Sequence, residues 1–148
     1  IEIKKNKNKI IFAGNGGSAA MSSHSSVDFT KNCKIRSINF NEADLITCFA
    51  NDYGYENWLK EALNFYADKD DLVVLFSSSG KSKNIVNAAQ FCKKKNIKLI
   101  TFTGFSKHNA LKKLGQINFW VNSRSYNIVE MTHHIWILMA ADYLRDFK

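Results

Sequence analysis

Leu72-Val73-Val74-Leu75-Phe76-Ser77-Ser78-Ser79-Gly80-Lys81-Ser82 is the stretch that decides the fold. Its first half is a short, continuous apolar run, too brief for a helix and suited to a strand buried on both faces. Serines and Gly80 then break the run, and a stretch of helical period follows over residues 82–95. A strand, a polar turn and a helix in that order make half of a parallel crossover unit. The same alternation runs through the chain. Strands are expected over residues 9–13, 35–39, 72–76, 98–102 and 117–121, and helices over 18–30, 55–67, 82–95, 109–114 and 126–145. This pattern predicts an α/β fold: a single doubly wound, five-stranded parallel sheet flanked by helices, flavodoxin-like, with a long C-terminal helix.

Size and composition agree with one domain over residues 1–148. A chain of 148 residues with 45% hydrophobic content can fill one core and is too short for two typical domains. Its longest apolar runs fall well short of the roughly 20 residues of a membrane-spanning helix, so no membrane partner is expected. The sequence opens on Ile1 rather than Met and shows no secretory pattern, which reads as a chain lacking an N-terminal piece. Cys33, Cys48 and Cys92 are far apart and form no Cys-x-x-Cys pair; reduced, mostly buried thiols of a cytoplasmic protein are expected. The net charge of +8 owes much to two lysine clusters, Lys4, Lys5, Lys7, Lys9 and Lys93, Lys94, Lys95. These read as solvated faces rather than a nucleic-acid stripe, with a field that favours an anionic substrate.

In an open parallel sheet, ligands bind where strands end and helix N-termini begin. Two loops stand at such places. The second, Ser77 to Ser82, carries four serine hydroxyls besides Gly80 and Lys81 directly before a helix, a cradle for one phosphate. Its plainer reading is a polar turn with Ser82 as helix N-cap. A nucleotide P-loop would need glycine where Leu75 stands, and that reading fails. The first loop, Gly14-Asn15-Gly16-Gly17-Ser18-Ala19-Ala20, meets the G-x-G-x-x-A spacing of dinucleotide-binding folds. The second strand, however, closes on Ser37-Ile38-Asn39-Phe40 without the acidic residue that holds a ribose, and Glu42 comes late.

Both loops, with Asn51-Asp52-Tyr53-Gly54-Tyr55-Glu56 between them, occur in an order that resembles the sedoheptulose 7-phosphate (phosphoheptose) isomerases of the SIS, or sugar isomerase, fold. The resemblance runs from about Lys9 to the C-terminus; the family's helical segment ahead of the first strand has no counterpart. It implies a cytoplasmic homotetramer with active sites between subunits, supplying heptose precursors for bacterial surface polysaccharide. It also implies that Asn15 and Ser18 contact the sugar, Asp52 a hydroxyl, and Ser77, Ser78, Ser79 and Ser82 the phosphate.

Aldose-ketose isomerisation moves a proton between adjacent carbons through an enediol, which needs a base and a group that shuttles the hydroxyl proton. Family members use a glutamate on the first helix and a histidine on the last, and some hold zinc with a further histidine and a glutamine. Here His24 matches the first-helix histidine and Asp28 the glutamate, which makes both candidate zinc ligands and Asp28 the candidate base. Aligned through Glu130, Val129 and Ile137 stand at the glutamine and histidine positions, and Tyr126 replaces an aspartate. His133 shares the stripe of Val129 and Ile137 and is the candidate shuttle, with His24 as its alternative; His134 points about 100° away. The sequence supports a second function as well, a phosphosugar-binding protein without catalysis that acts as a sensor or a scaffold for a protein partner.

Overall fold

The computed structural model describes residues 2–146. Its elements run α1 Glu2–Lys5, β1 Ile10–Ala13, α2 Gly17–Lys31, β2 Ser37–Asn39, α3 Ala43–Tyr53, α4 Trp58–Tyr66, β3 Leu72–Ser77, α5 Lys83–Lys95 and β4 Lys98–Thr103. A 3₁₀ turn at Leu111–Lys113, strand β5 Ile117–Trp120 and helix α6 Tyr126–Asp146 complete the described chain. The five strands are all parallel, in the order β2-β1-β3-β4-β5. That order reverses between β1 and β3, so the loops after those two strands open side by side at the switch point of the sheet.

Strand alternation sorts the core into two layers. Ile11, Ala13, Val73, Leu75 and Leu99 face one side, where α4 and α5 cover them with Trp58, Leu59, Leu63, Ile85, Ala88 and Cys92. Ile10, Phe12, Val74, Phe76 and Phe102 face the other, against Met21 and Phe29 of α2 and Ile137 and Ala141 of α6. The base of the sheet is clasped by Asp71, fully buried, which accepts hydrogen bonds from the Lys9 and Asp68 amides and lies 2.6 Å from Lys9 Nζ. Lys9 is therefore part of the fold and not of a solvated cluster.

Two helices were not foreseen, the four-residue α1 ahead of β1 and the longer α3. Residues 43–53 form α3, which packs on α4, has no fully buried residue, and carries Asp52 in its last turn. Cys33 and Cys92 are buried and Cys48 is exposed; burial pushes the Cys92 thiol up to about 12. No helix among the described residues is long and apolar enough to cross a membrane.

Candidate functional site

The serine loop closes on itself before α5 begins. Ser82 occupies the N-cap position but caps nothing with its side chain. Its hydroxyl turns instead to Ser77 Oγ at 3.3 Å, while Ser79 Oγ accepts the Lys81 amide at 3.2 Å. The plain-turn reading of the loop thus loses its cap, and the first amides of α5 are left without a side-chain acceptor, the arrangement that suits an anion. Ser78 is different: its hydroxyl is buried and has no hydrogen-bond partner among the described residues, and its carbonyl accepts the Gly104 amide at 2.9 Å.

Gly80 makes the turn possible, with φ +64, a left-handed conformation that side chains oppose. A Cβ there would fall 2.7 Å from Asn109 Cβ and nearer still to its amide group. Asn109, buried in the loop after β4, takes the Lys112 amide at 2.8 Å and gives its Nδ2 to the Ser106 carbonyl at 2.9 Å. The serine loop therefore rests on a neighbouring loop that is itself pinned.

Asn15 of the first loop is joined to the second by a residue that sequence reasoning missed. Asn84, in the first turn of α5 and 2% exposed, exchanges two side-chain hydrogen bonds with Asn15, at 3.0 and 2.8 Å. Tyr55 Oη adds a third contact to Asn15 Oδ1 at 3.5 Å. An asparagine two residues past a phosphate-loop serine was the available signal; only the closeness of β1 and β3 gives it meaning. Ser18 is buried in the first turn of α2. Asp52 is exposed, paired with Asn51 Nδ2 at 3.0 Å and near Cys48 Sγ, and shows no contact with either loop among the described residues.

The two long helices α2 and α6 meet along a polar seam that begins at the first loop. Glu130 lies across Gly17, where a Cβ would fall 2.9 Å from Glu130 Cδ, so its carboxylate faces the uncapped start of α2. Further along, His24 Nδ1 and His134 Nε2 are 3.1 Å apart, and His24 Nε2 lies 3.6 Å from Asp28 Oδ2. Burial, and then the neighbouring His24, hold the His134 imidazole below its usual range. His24 and Asp28 are thus brought together as the sequence suggested, but the α6 residue that meets them is His134.

His133 is corrected out of this place. It is 0% exposed, on the stripe Val129, His133, Ile137 and Ala141 that α6 turns into the core. Its Nε2 donates to the Thr103 carbonyl at 3.1 Å, Nδ1 has no hydrogen-bond partner among the described residues, and Phe76, Phe102 and Trp136 surround the ring. Burial lowers its pKa to about 4, so it is neutral in the core. The stripe of helix α6 that faces α2 is one residue further round than the sequence alignment placed it.

Zinc does not fit these residues. Among the described residues no three His, Cys, Asp or Glu side chains converge where a metal ion could sit. Val129 and Ile137, at the positions of the family's remaining ligands, are apolar and buried.

Comparison with known proteins agrees with this architecture. Residues 1–104 match the SIS domain family. A phosphoheptose isomerase of Campylobacter jejuni, number 2 of that organism, is 39% identical over 112 residues, which are 72% of this chain and 56% of the relative. One from Aliarcobacter butzleri is 31% identical over 90% of this chain and 73% of its own. Among solved structures, phosphoheptose isomerase from Neisseria gonorrhoeae superposes with a TM-score of 0.89 at 22% identity, over 96% of this chain and 78% of that one. The chain spans only a little over half the length of the first of these relatives.

Proposed function

The chain belongs to the SIS domain family, in its phosphoheptose isomerase branch, and we propose that it is an aldose-ketose isomerase for a sugar phosphate, of the sedoheptulose 7-phosphate to manno-heptose 7-phosphate type. The observation that carries the reading is the start of α5: helix amides without a side-chain cap, ringed by Ser77, Ser79 and Ser82 and tied through Asn84 to Asn15 of the first loop. Phosphate binds at the former and sugar hydroxyls at the latter, with Ser18 and Asp52 completing the contacts as the substrate enters. Asp28 is the base that takes the carbon proton and returns it to the adjacent carbon. The product serves as a heptose precursor for surface polysaccharide, made in the cytoplasm.

The working assembly is a homotetramer. Ile128, Met131, Ile135 and Met139 form an exposed apolar stripe along α6, and Ile117 and Phe119 of the edge strand β5 are exposed as well. A surface of that kind is characteristic of a subunit interface. Sites between subunits would bring a neighbour's groups to the exposed Asp52.

One observation favours a second reading, a phosphosugar-binding protein without catalysis: apolar Val129 and Ile137 stand where relatives of the resembling family carry chemistry. An NMR time course of the protein with sedoheptulose 7-phosphate, with and without zinc, separates the two. New aldose resonances support the isomerase; tight binding without turnover replaces it with the sensor.

A further inference from the structure

Residues 54–57, between α3 and α4, form a turn that is pinned along its length. Gly54 opens it at φ +80, a left-handed conformation that favours glycine, and its carbonyl accepts the Asn57 and Trp58 amides at 2.9 and 3.1 Å. Trp58, 3% exposed, anchors the far end in the core. Asn87 of α5 holds the middle: its Nδ2 donates to the Glu56 carbonyl at 2.9 Å and to Asn57 Oδ1 at 3.3 Å. Asn84 and Asn87 are three residues apart and so are neighbours on the surface of α5. One edge of that helix therefore carries both Asn84, which grips Asn15, and Asn87, which grips the turn that presents Tyr55.

Tyr55 is 56% exposed, yet its polar tip stands at the first loop, with Oη 3.5 Å from Asn15 Oδ1. That separation exceeds the roughly 2.5–3.0 Å of a well-formed hydroxyl hydrogen bond, so the phenol is still open to a ligand. Asn15 has capacity left as well. Its amide offers two N–H groups and two lone pairs, and the exchange with Asn84 uses one of each. A phenol beside a half-used carboxamide matches a group that both donates and accepts, which a sugar hydroxyl does and a fully ionised phosphate does not.

We propose that Asn15 and Tyr55 together form a subsite for one hydroxyl of the sugar, with Tyr55 a sugar-contacting residue, and that Asn84 and Asn87 are positioning residues that hold the pair from α5. The statement rests on the reading of the first loop as the sugar end of the site. Asn84 lies in the first turn of the helix whose uncapped start takes the phosphate, so one rigid element sets the distance from phosphate to hydroxyl. Inorganic phosphate engages only the start of α5; a sugar phosphate engages both ends.

Titration calorimetry of the full chain with two probes, inorganic phosphate and sedoheptulose 7-phosphate, tests this. Tyr55→Phe, at an exposed position, should weaken the sugar phosphate about 3-fold to 10-fold, the loss of one neutral hydrogen bond, and leave inorganic phosphate unchanged. Asn87→Ala should show the same split between the probes, and in Tyr55→Phe/Asn87→Ala the two losses should not add, because the second acts through the first. Should the alanine variant fail to fold, Asn87→Asp removes the same donor at nearly the same shape. Sugar-phosphate affinity that Tyr55→Phe leaves unchanged, or an equal loss for both probes, would overturn the Tyr55 subsite, and full additivity would overturn the role of Asn87. A wild type that binds sedoheptulose 7-phosphate no more tightly than inorganic phosphate would remove the sugar end altogether, and the reading of the first loop would fall with the proposal; tight sugar-phosphate binding that Tyr55→Phe does not alter sinks the proposal alone.

Discussion

Gly80→Ala is the sharpest test of how the serine loop is held. The residue has φ +64, where an L side chain costs roughly 1–2 kcal/mol. Its new Cβ would also meet Asn109, whose Cβ would be 2.7 Å away, so the asparagine must move. Asn109 is 2% exposed and holds the Lys112 amide and the Ser106 carbonyl at 2.8 and 2.9 Å. Loss of one or two such bonds costs about 0.5–1.5 kcal/mol each. The sum is about 1.5–5 kcal/mol, which lowers Tm by roughly 4–20 °C in a chain of this size. Thermal unfolding followed by circular dichroism measures it, and sugar-phosphate affinity should fall in parallel because the same turn aims Ser79 and Ser82. In Gly80→Ala/Asn109→Ala the two costs should not add, since the clash has already displaced the side chain that the second change removes. An unchanged Tm, or full additivity, would refute the account of the turn.

The Ser77→Ala/Ser82→Ala pair should weaken sugar-phosphate binding by roughly 100-fold to 10,000-fold in titration calorimetry, since hydrogen bonds to a charged group are worth about 1.5–3 kcal/mol each; unchanged affinity would move the phosphate elsewhere. Replacing Ile135 and Met139 together by glutamate should shift the assembled protein to lower mass in sedimentation, because burial of each apolar side chain contributes about 1.5–3 kcal/mol; a wild type that is already monomeric would remove the interface on α6. His133, lowered to about 4 by burial, binds its proton more weakly folded than unfolded. Its contribution is therefore fully present above its ordinary value of 6.5 and lost as pH falls toward 4, about 3 kcal/mol over that window. His133→Leu should flatten that part of the stability curve in urea titrations; an equal slope in both proteins would show that another group carries it.

Much of the fold was legible because strands buried on both faces write themselves as uninterrupted apolar runs. All five expected strands are present, with ends shifted by no more than two residues. The order of the sheet was not written in any one run; it follows from which strands pair, and it is what sets the two loops side by side. Helix α3 escaped because it lies against α4 rather than on the sheet and buries none of its residues fully, so it is no part of the strand-helix alternation from which the fold was read. Asp52 was read from its motif alone, and lies at the end of a helix that the motif did not announce.

The site shows where a helical wheel stops being informative. Val129, His133 and Ile137 share one face of α6, and His134 lies about 100° from His133, as spacing alone requires. Spacing does not say which face meets which neighbour. Because α6 lies over Phe76 and Phe102 of the sheet, the stripe of two aliphatic residues and one histidine is drawn into the core, and hydrophobic burial outweighs the loss of one imidazole hydrogen bond. Once that stripe is fixed inward, Glu130 and His134 fall on the flank that faces α2, beside Gly17 and His24. The same packing that makes His133 structural therefore delivers His134 to the seam, so one cannot be exchanged for the other without rotating the helix and exposing Val129 and Ile137 to water.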